Sequence, residues 1–165
     1  MTEQEMMENW MRHATPGPQH EKLVKHCGDY NVTMIERGQE MSGEAKIEMI
    51  LGGRVQTQHF TMDFQGMPFV GYGMWGYDNF TNRHWFTWND NMSTGISQLW
   101  GSEQDGGRKI VFEGKLDKAG MNLKQVPVRH TFTLKSENEF RFEAWDYPDT
   151  EKESKVMDMT YTRKR

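Results

Sequence analysis

From position 28 onward the chain alternates apolar and polar residues, in runs broken by Gly, Asn, Asp or Pro about every ten positions. A two-residue period with one dry and one wet face is the pattern of an antiparallel strand. It predicts about ten strands, over 29–37, 44–51, 54–64, 68–77, 83–89, 95–102, 108–117, 126–135, 139–146 and 155–163. In the second, Ala45, Ile47, Met49 and Leu51 oppose Glu44, Lys46 and Glu48. In the seventh, Ile110, Phe112 and Leu116 oppose Lys109, Glu113 and Lys115. The eighth sets Val128, His130, Phe132 and Leu134 against Arg129, Thr131 and Thr133, and the ninth sets Phe140, Phe142 and Ala144 against Arg141 and Glu143. The fourth and fifth carry aromatics on both faces, so their inward side stays open at this level. Short strands in simple succession predict an all-β, antiparallel up-and-down barrel, closed so that no sheet edge is exposed.

The first 27 residues follow a helical period instead. Thr2 and Glu5 have the spacing of a capping box. Met6, Met7, Trp10 and Met11 make one apolar face, and Pro16-Gly17-Pro18 ends the helix. A second short helix is expected over 19–27, burying Leu23, Val24 and Cys27. Helices this short are not stable alone, so both are expected to pack on something larger. The expected organisation is one domain: a helical segment, 1–27, packing on or plugging a barrel formed by 28–165.

Composition narrows the classes. Net charge is −4, aromatics make up 12% and there are 14 Met, which describes a folded chain with an aromatic, Met-rich interior rather than a disordered one. Mild acidity without a basic stripe argues against nucleic acid. No apolar run approaches the roughly 18 residues of a membrane-spanning helix, and the N-terminus lacks a basic, apolar leader. Cys27 stands alone, leaving no intrachain disulfide and no cysteine metal cluster. These features together point to a reduced, cytoplasmic setting.

Gly28-Asp29-Tyr30 at the first strand and Arg163 in the last are similar to the hallmark pair of lipocalin-like (calycin) barrels, with Tyr30 where that family has Trp. The resemblance implies that Arg163 lies over the ring and closes one barrel end. A closer resemblance spans about residues 15 to 164. Pro16-Gly17, His20, Leu23, Gly28-Asp29-Tyr30, Gly52-Gly53-Arg54, Phe69, Gly71 and Gly76-Tyr77-Asp78-Asn79 carry its first half. Trp88, Asp90, Met92-Ser93-Thr94-Gly95 and Tyr161-Thr162-Arg163-Lys164 carry the second. On these residues the chain resembles the bacterial family catalogued as domain of unknown function 1579, which implies a fold but no activity.

Ten strands enclose more space than side chains alone need fill, so the preferred reading is a barrel that binds an apolar or amphipathic small molecule. The expected lining is Gln58, Tyr77, His84, Trp88, Trp100, His130 and Tyr161, and some of Met34, Met49, Met62, Met74 and Met159 would join it. No catalytic or metal residue is assigned, and no nucleophile elbow is present. His20 is expected to cap or pack the plugging helix rather than to bind zinc. Gly71, Gly73 and Gly76 are expected to coil a strand or to make room for a ligand.

Two alternatives stay open. One is an enzyme using haem, held by His130 or His84 as in the nitrobindin-like barrels that look like distant relatives, or using an acid–base pair of His84 with Asp90. The other is a structural or interaction domain whose interior is packed shut. A homodimer is also compatible with the sequence.

Overall fold

The computed structural model describes residues 1–36 and 38–165; Arg37, the last residue of the first predicted strand, lies outside the described residues. The described residues form two helices, α1 (Glu3–Ala14) and α2 (Pro18–Lys25), followed by ten strands. These are β1 (Gly28–Glu36), β2 (Gln39–Ile50), β3 (Val55–Phe64), β4 (Met67–Asp78) and β5 (Arg83–Asp90). Then come β6 (Ser97–Gln104), β7 (Lys109–Lys118), β8 (Leu123–Ser136), β9 (Glu139–Asp146) and β10 (Ser154–Arg163). Every strand pairs antiparallel with its sequence neighbours, and β1 pairs with β10 from Tyr30–Arg163 to Ile35–Asp158, which closes the barrel. Two strand starts differ most from the sequence reading: β2 begins at Gln39, five positions earlier, and β8 at Leu123. Backbone pairing beyond the buried stretch carries no hydropathy signal, so alternation underestimates such extensions.

The inner face is the predicted one in β7, β8 and β9, and in most of β2. Leu51 is a correction: it sits in the β2–β3 turn at φ +51°, beside Gly52 and Gly53, and is exposed. Phe112 lies at the centre of the interior, wholly buried, with its ring 5.3 Å from that of Trp75 and 5.9 Å from those of Phe86 and Phe132.

One end of the barrel is covered by α2. The last turn of a helix leaves carbonyls without intrahelical partners, and the barrel supplies donors to them. Gln56 Nε2 donates to the Leu23 carbonyl (2.8 Å), Tyr30 Oη to that of His26 (2.9 Å), and Arg163 Nη2 to that of Lys25 (2.8 Å). Lys22 is paired with Glu103 at 2.7 Å. Gly17 N–H donates to His20 Nδ1 (3.1 Å), so His20 caps α2.

Arg163 also donates to the Cys27 carbonyl and lies 5.1 Å over the Tyr30 ring. Gly28 permits this: at φ +148° a Cβ there would come 2.4 Å from the guanidinium. We expect Arg163→Ala to destabilise the protein by about 3 kcal/mol, since charged donors to two buried-end carbonyls and one ring contact are lost together. Thermal unfolding should then fall by roughly 10 °C. Arg163→Lys should recover little of it, because one ammonium cannot span both carbonyls. A melting point within about 2 °C of the parent would rule this role out.

Helix α1 corrects an expectation. Its capping box forms, with Glu5 N–H donating to Thr2 Oγ1 (3.1 Å) and Thr2 N–H to Glu5 Oε2 (2.6 Å). Its Met6, Met7, Trp10 and Met11 face, however, is exposed, and α1 buries no residue. Among the described residues only its C-terminal end is tethered: Arg54 Nε donates to the Ala14 carbonyl (2.9 Å) and Asn79 Nδ2 to that of Thr15 (2.8 Å). The cap and first-turn acids support this helix in place of tertiary packing. Likewise Val24 in α2 is exposed rather than buried.

Candidate functional site

The strands bring their inward residues around two separate spaces. Under α2 is a pocket of about 40 Å³, room for little more than a water, lined in part by Gln19, Lys22, Gln56, His84 and Glu103. Toward the other end lies a cavity of about 430 Å³, within the range of sites for small organic ligands. Its wall is aromatic and Met-rich: Phe60, Phe69, Phe86, Trp88, Phe132 and Phe142, with Met34, Met62, Met157 and Met159. The cavity excludes the reading of an interior packed shut.

Of the seven residues expected to line one site, Gln58, Trp88, His130 and Tyr161 line this cavity. His84 does not; it lines the small pocket beneath α2. Tyr77 lines neither and packs edge-on against His84 (4.9 Å) and His20 (6.1 Å). Trp100 is a correction. It pairs with Trp85 on the outer face, under the Arg83 guanidinium at 5.2 Å, while its neighbour Leu99 takes the inward position. Met74 also points outward and is exposed, whereas Met49 packs against the core without reaching the cavity. The wall phenylalanines are not among the seven expected residues, although they continue the inward parity of Gln58 and His130: Phe60 and Phe132 are two positions further along β3 and β8.

Trp88 owes its position to two glycines on the neighbouring strand. A Cβ at Gly71 would stand 2.1 Å from its indole and one at Gly73 3.1 Å, so β4 is kept bare where the ring lies. The room made is for Trp88, not directly for a ligand. Trp88 Nε1 donates to Asp90 Oδ2 (2.9 Å), and Asp90 Oδ1 accepts from the Met92 amide (2.9 Å), which fixes the rim of the cavity.

Three polar groups face this apolar wall. Gln58 Nε2 donates to Tyr161 Oη (2.8 Å), leaving the phenol proton only a long contact to Met159 Sδ at 4.0 Å. Burial pushes the Tyr161 phenol up, so it stays protonated and able to donate. His130 lines the cavity, while its Nδ1 is itself enclosed by protein and has no hydrogen-bond partner. Burial holds its pKa down to about 3, so the ring is neutral, with one nitrogen donating and the other accepting.

His84 is fixed differently. Trp75 Nε1 donates to its Nδ1 (3.1 Å), which places the ring proton on Nε2, 4.0 Å from Glu103 Oε1. Burial lowers its pKa to about 4, even though Glu103 opposes that shift. His84 and Asp90 occupy opposite ends of β5, six residues and about 20 Å apart. They cannot exchange a proton directly, which removes the proposed acid–base pair.

The protein of unknown function family DUF1579 matches residues 15–163, from the chain entering α2 to the closing strand. The chain belongs to the DUF1579 family. Helix α1 lies outside the DUF1579 match. No curated protein matches the chain. Among solved structures, one described as EF1p2_mFAP2b bound to DFHBI is similar at 15% identity and a TM-score of 0.47, covering 88% of this chain and 97% of its own.

Among the described residues of this chain the cavity lining is poorly matched to haem. His130 is the imidazole lining the large cavity, but the mouth, where a porphyrin's two carboxylates would emerge, carries Glu36, Asp90 and Asp117. The lysine lining that mouth, Lys118, is already paired with Asp146 at 2.9 Å. Among the described residues, no three His, Cys, Asp or Glu side chains are grouped to hold a metal ion, and no helix is long and apolar enough to cross a membrane.

Proposed function

We propose that this protein binds a small, largely apolar molecule inside the barrel. The observation that carries the reading is the 430 Å³ cavity, walled by aromatic and Met side chains and lined by the neutral imidazole of His130. His130 offers one polar anchor on this wall. The Gln58–Tyr161 pair offers a second anchor, since the phenol proton is free to turn toward the cavity. Met side chains adapt to irregular apolar shapes, which suits such a pocket. An apolar body held by a few polar contacts is the usual arrangement in ligand sites.

The test is titration with N-phenyl-1-naphthylamine, which is uncharged at neutral pH and brightens in apolar surroundings. One saturable site per chain is expected. Ala144→Phe should abolish it by filling the cavity from the β9 wall, where Ala144 is buried. Absence of saturable binding, or binding that Ala144→Phe leaves intact in a folded variant, would overturn the proposal.

A further inference from the structure

The mouth of the cavity differs in charge from its wall. Glu36 ends β1, Asp90 ends β5 and Asp117 lies near the end of β7, so three carboxylates from separate strands line one opening. Asp90 is held by uncharged donors, the Trp88 indole and the Met92 amide. Asp117 accepts from the Gln125 amide (2.8 Å) and side chain (3.3 Å). Lys124 is within electrostatic reach of Asp117 but does not line the cavity. Lys118, which does, is matched by Asp146. Deeper in, the groups that meet the cavity are neutral: His130, Gln58 and Tyr161. A charge carried inward would lose its hydration with nothing opposite to replace it. An anion at the mouth would meet carboxylates. A cation there keeps contact with water and is attracted by them.

Resting on the binding function proposed above, we infer that the occupant is an amphipathic amine, its uncharged ring-bearing body inside and its cationic head at the mouth among Glu36, Asp90 and Asp117. Charge sorts ligands of equal shape here, in the way complementary potentials sort partners at other interfaces. The neutral His130 ring on the cavity wall then meets a polar but uncharged group of the same ligand.

The experiment compares three molecules with one ring system: 1-naphthylmethylamine, 1-naphthalenemethanol and 1-naphthoic acid, by calorimetry at pH 7 and low ionic strength. The amine should bind about tenfold tighter than the acid, with the alcohol between, and added salt should compress the order. Glu36→Gln combined with Asp117→Asn should narrow the gap without abolishing alcohol binding. Ala144→Phe should remove amine binding, which separates the cavity from attraction to the net negative surface. If the alcohol or acid matches the amine, charge selection is overturned and the binding barrel stands. Amine binding that survives Ala144→Phe also overturns charge selection at this mouth. If none of the three binds and N-phenyl-1-naphthylamine does not either, the binding function itself falls. If only the neutral probe binds, the amine assignment alone falls.

Discussion

Truncating Phe112 to alanine is expected to cost about 4 kcal/mol, near the upper part of the range for aromatic deletions. The ring has no exposed surface and stands among Trp75, Phe86 and Phe132 at centroid distances of 5.3–5.9 Å. It also approaches His84 (6.5 Å). Those neighbours are themselves fixed. Trp75 is tied to His84 by a hydrogen bond, and Phe86 and Phe132 stand on strands paired on both sides. A closed barrel cannot shrink to fill the void, because each strand's spacing is set by its two ladders. Urea unfolding at neutral pH measures the loss, and a change below about 1.5 kcal/mol would show that the interior repacks freely.

Acid should weaken the protein well before its carboxylates protonate. His84 and His130 are held neutral by burial, at about 4 and about 3, whereas in the unfolded chain each titrates near 6.5. Below that value the unfolded state binds protons that the folded state refuses, so stability is full above pH 6.5 and is lost as pH falls toward 4. Between pH 7 and pH 5 each ring should contribute a loss of about 2 kcal/mol, about 4 together. His20 and His26, also lowered by burial, act with the same sign. Asp158 and Glu103 have depressed values, so their contribution is lost only under stronger acid, outside this window. The check is urea unfolding at pH 7, 6 and 5 on the parent and on His84→Asn/His130→Leu. Asparagine offers Trp75 an acceptor in place of Nδ1. The double variant should lose less than half as much between pH 7 and pH 5. A parallel fall in both would assign the acid sensitivity elsewhere.

The barrel was legible where a single face is apolar. In β7, β8 and β9 the inward residues alternate mostly with charged or hydroxyl residues, Val111, Pro127 and Trp145 being among the exceptions, and the faces follow directly. In β4 and β5 both faces hold aromatics, for two different reasons. Trp88 is inside because Gly71 and Gly73 leave it room, whereas Trp85 lies outside over Gly76, where a Cβ would come 2.3 Å from its ring. Hydropathy treats these indoles alike. Only the ladder, which puts Trp85 opposite Trp100 and His84 opposite Gly101, separates them. Leu99 was the available signal for Trp100, since adjacent strand residues cannot share a face. The candidate site was half legible for a related reason. Parity along a strand tells inside from outside, but not which end of the tube a residue occupies. That is why His84 and Trp88, on one face of one strand, open into different spaces.

The ladder between β1 and β10 joins the two ends of the barrel sequence, whereas every other ladder joins neighbours along the chain. It is the seam at which loop-closure entropy is concentrated, and the cavity lies across it. Met34 stands on one side, Met157, Met159 and Tyr161 on the other, and Gln58 reaches over from β3 to the Tyr161 hydroxyl. An occupant touching both sides acts as a clasp. Holding it would slow amide exchange along this one ladder more than along the other nine, so the barrel's lifetime and the ligand's residence time would be set at the same place.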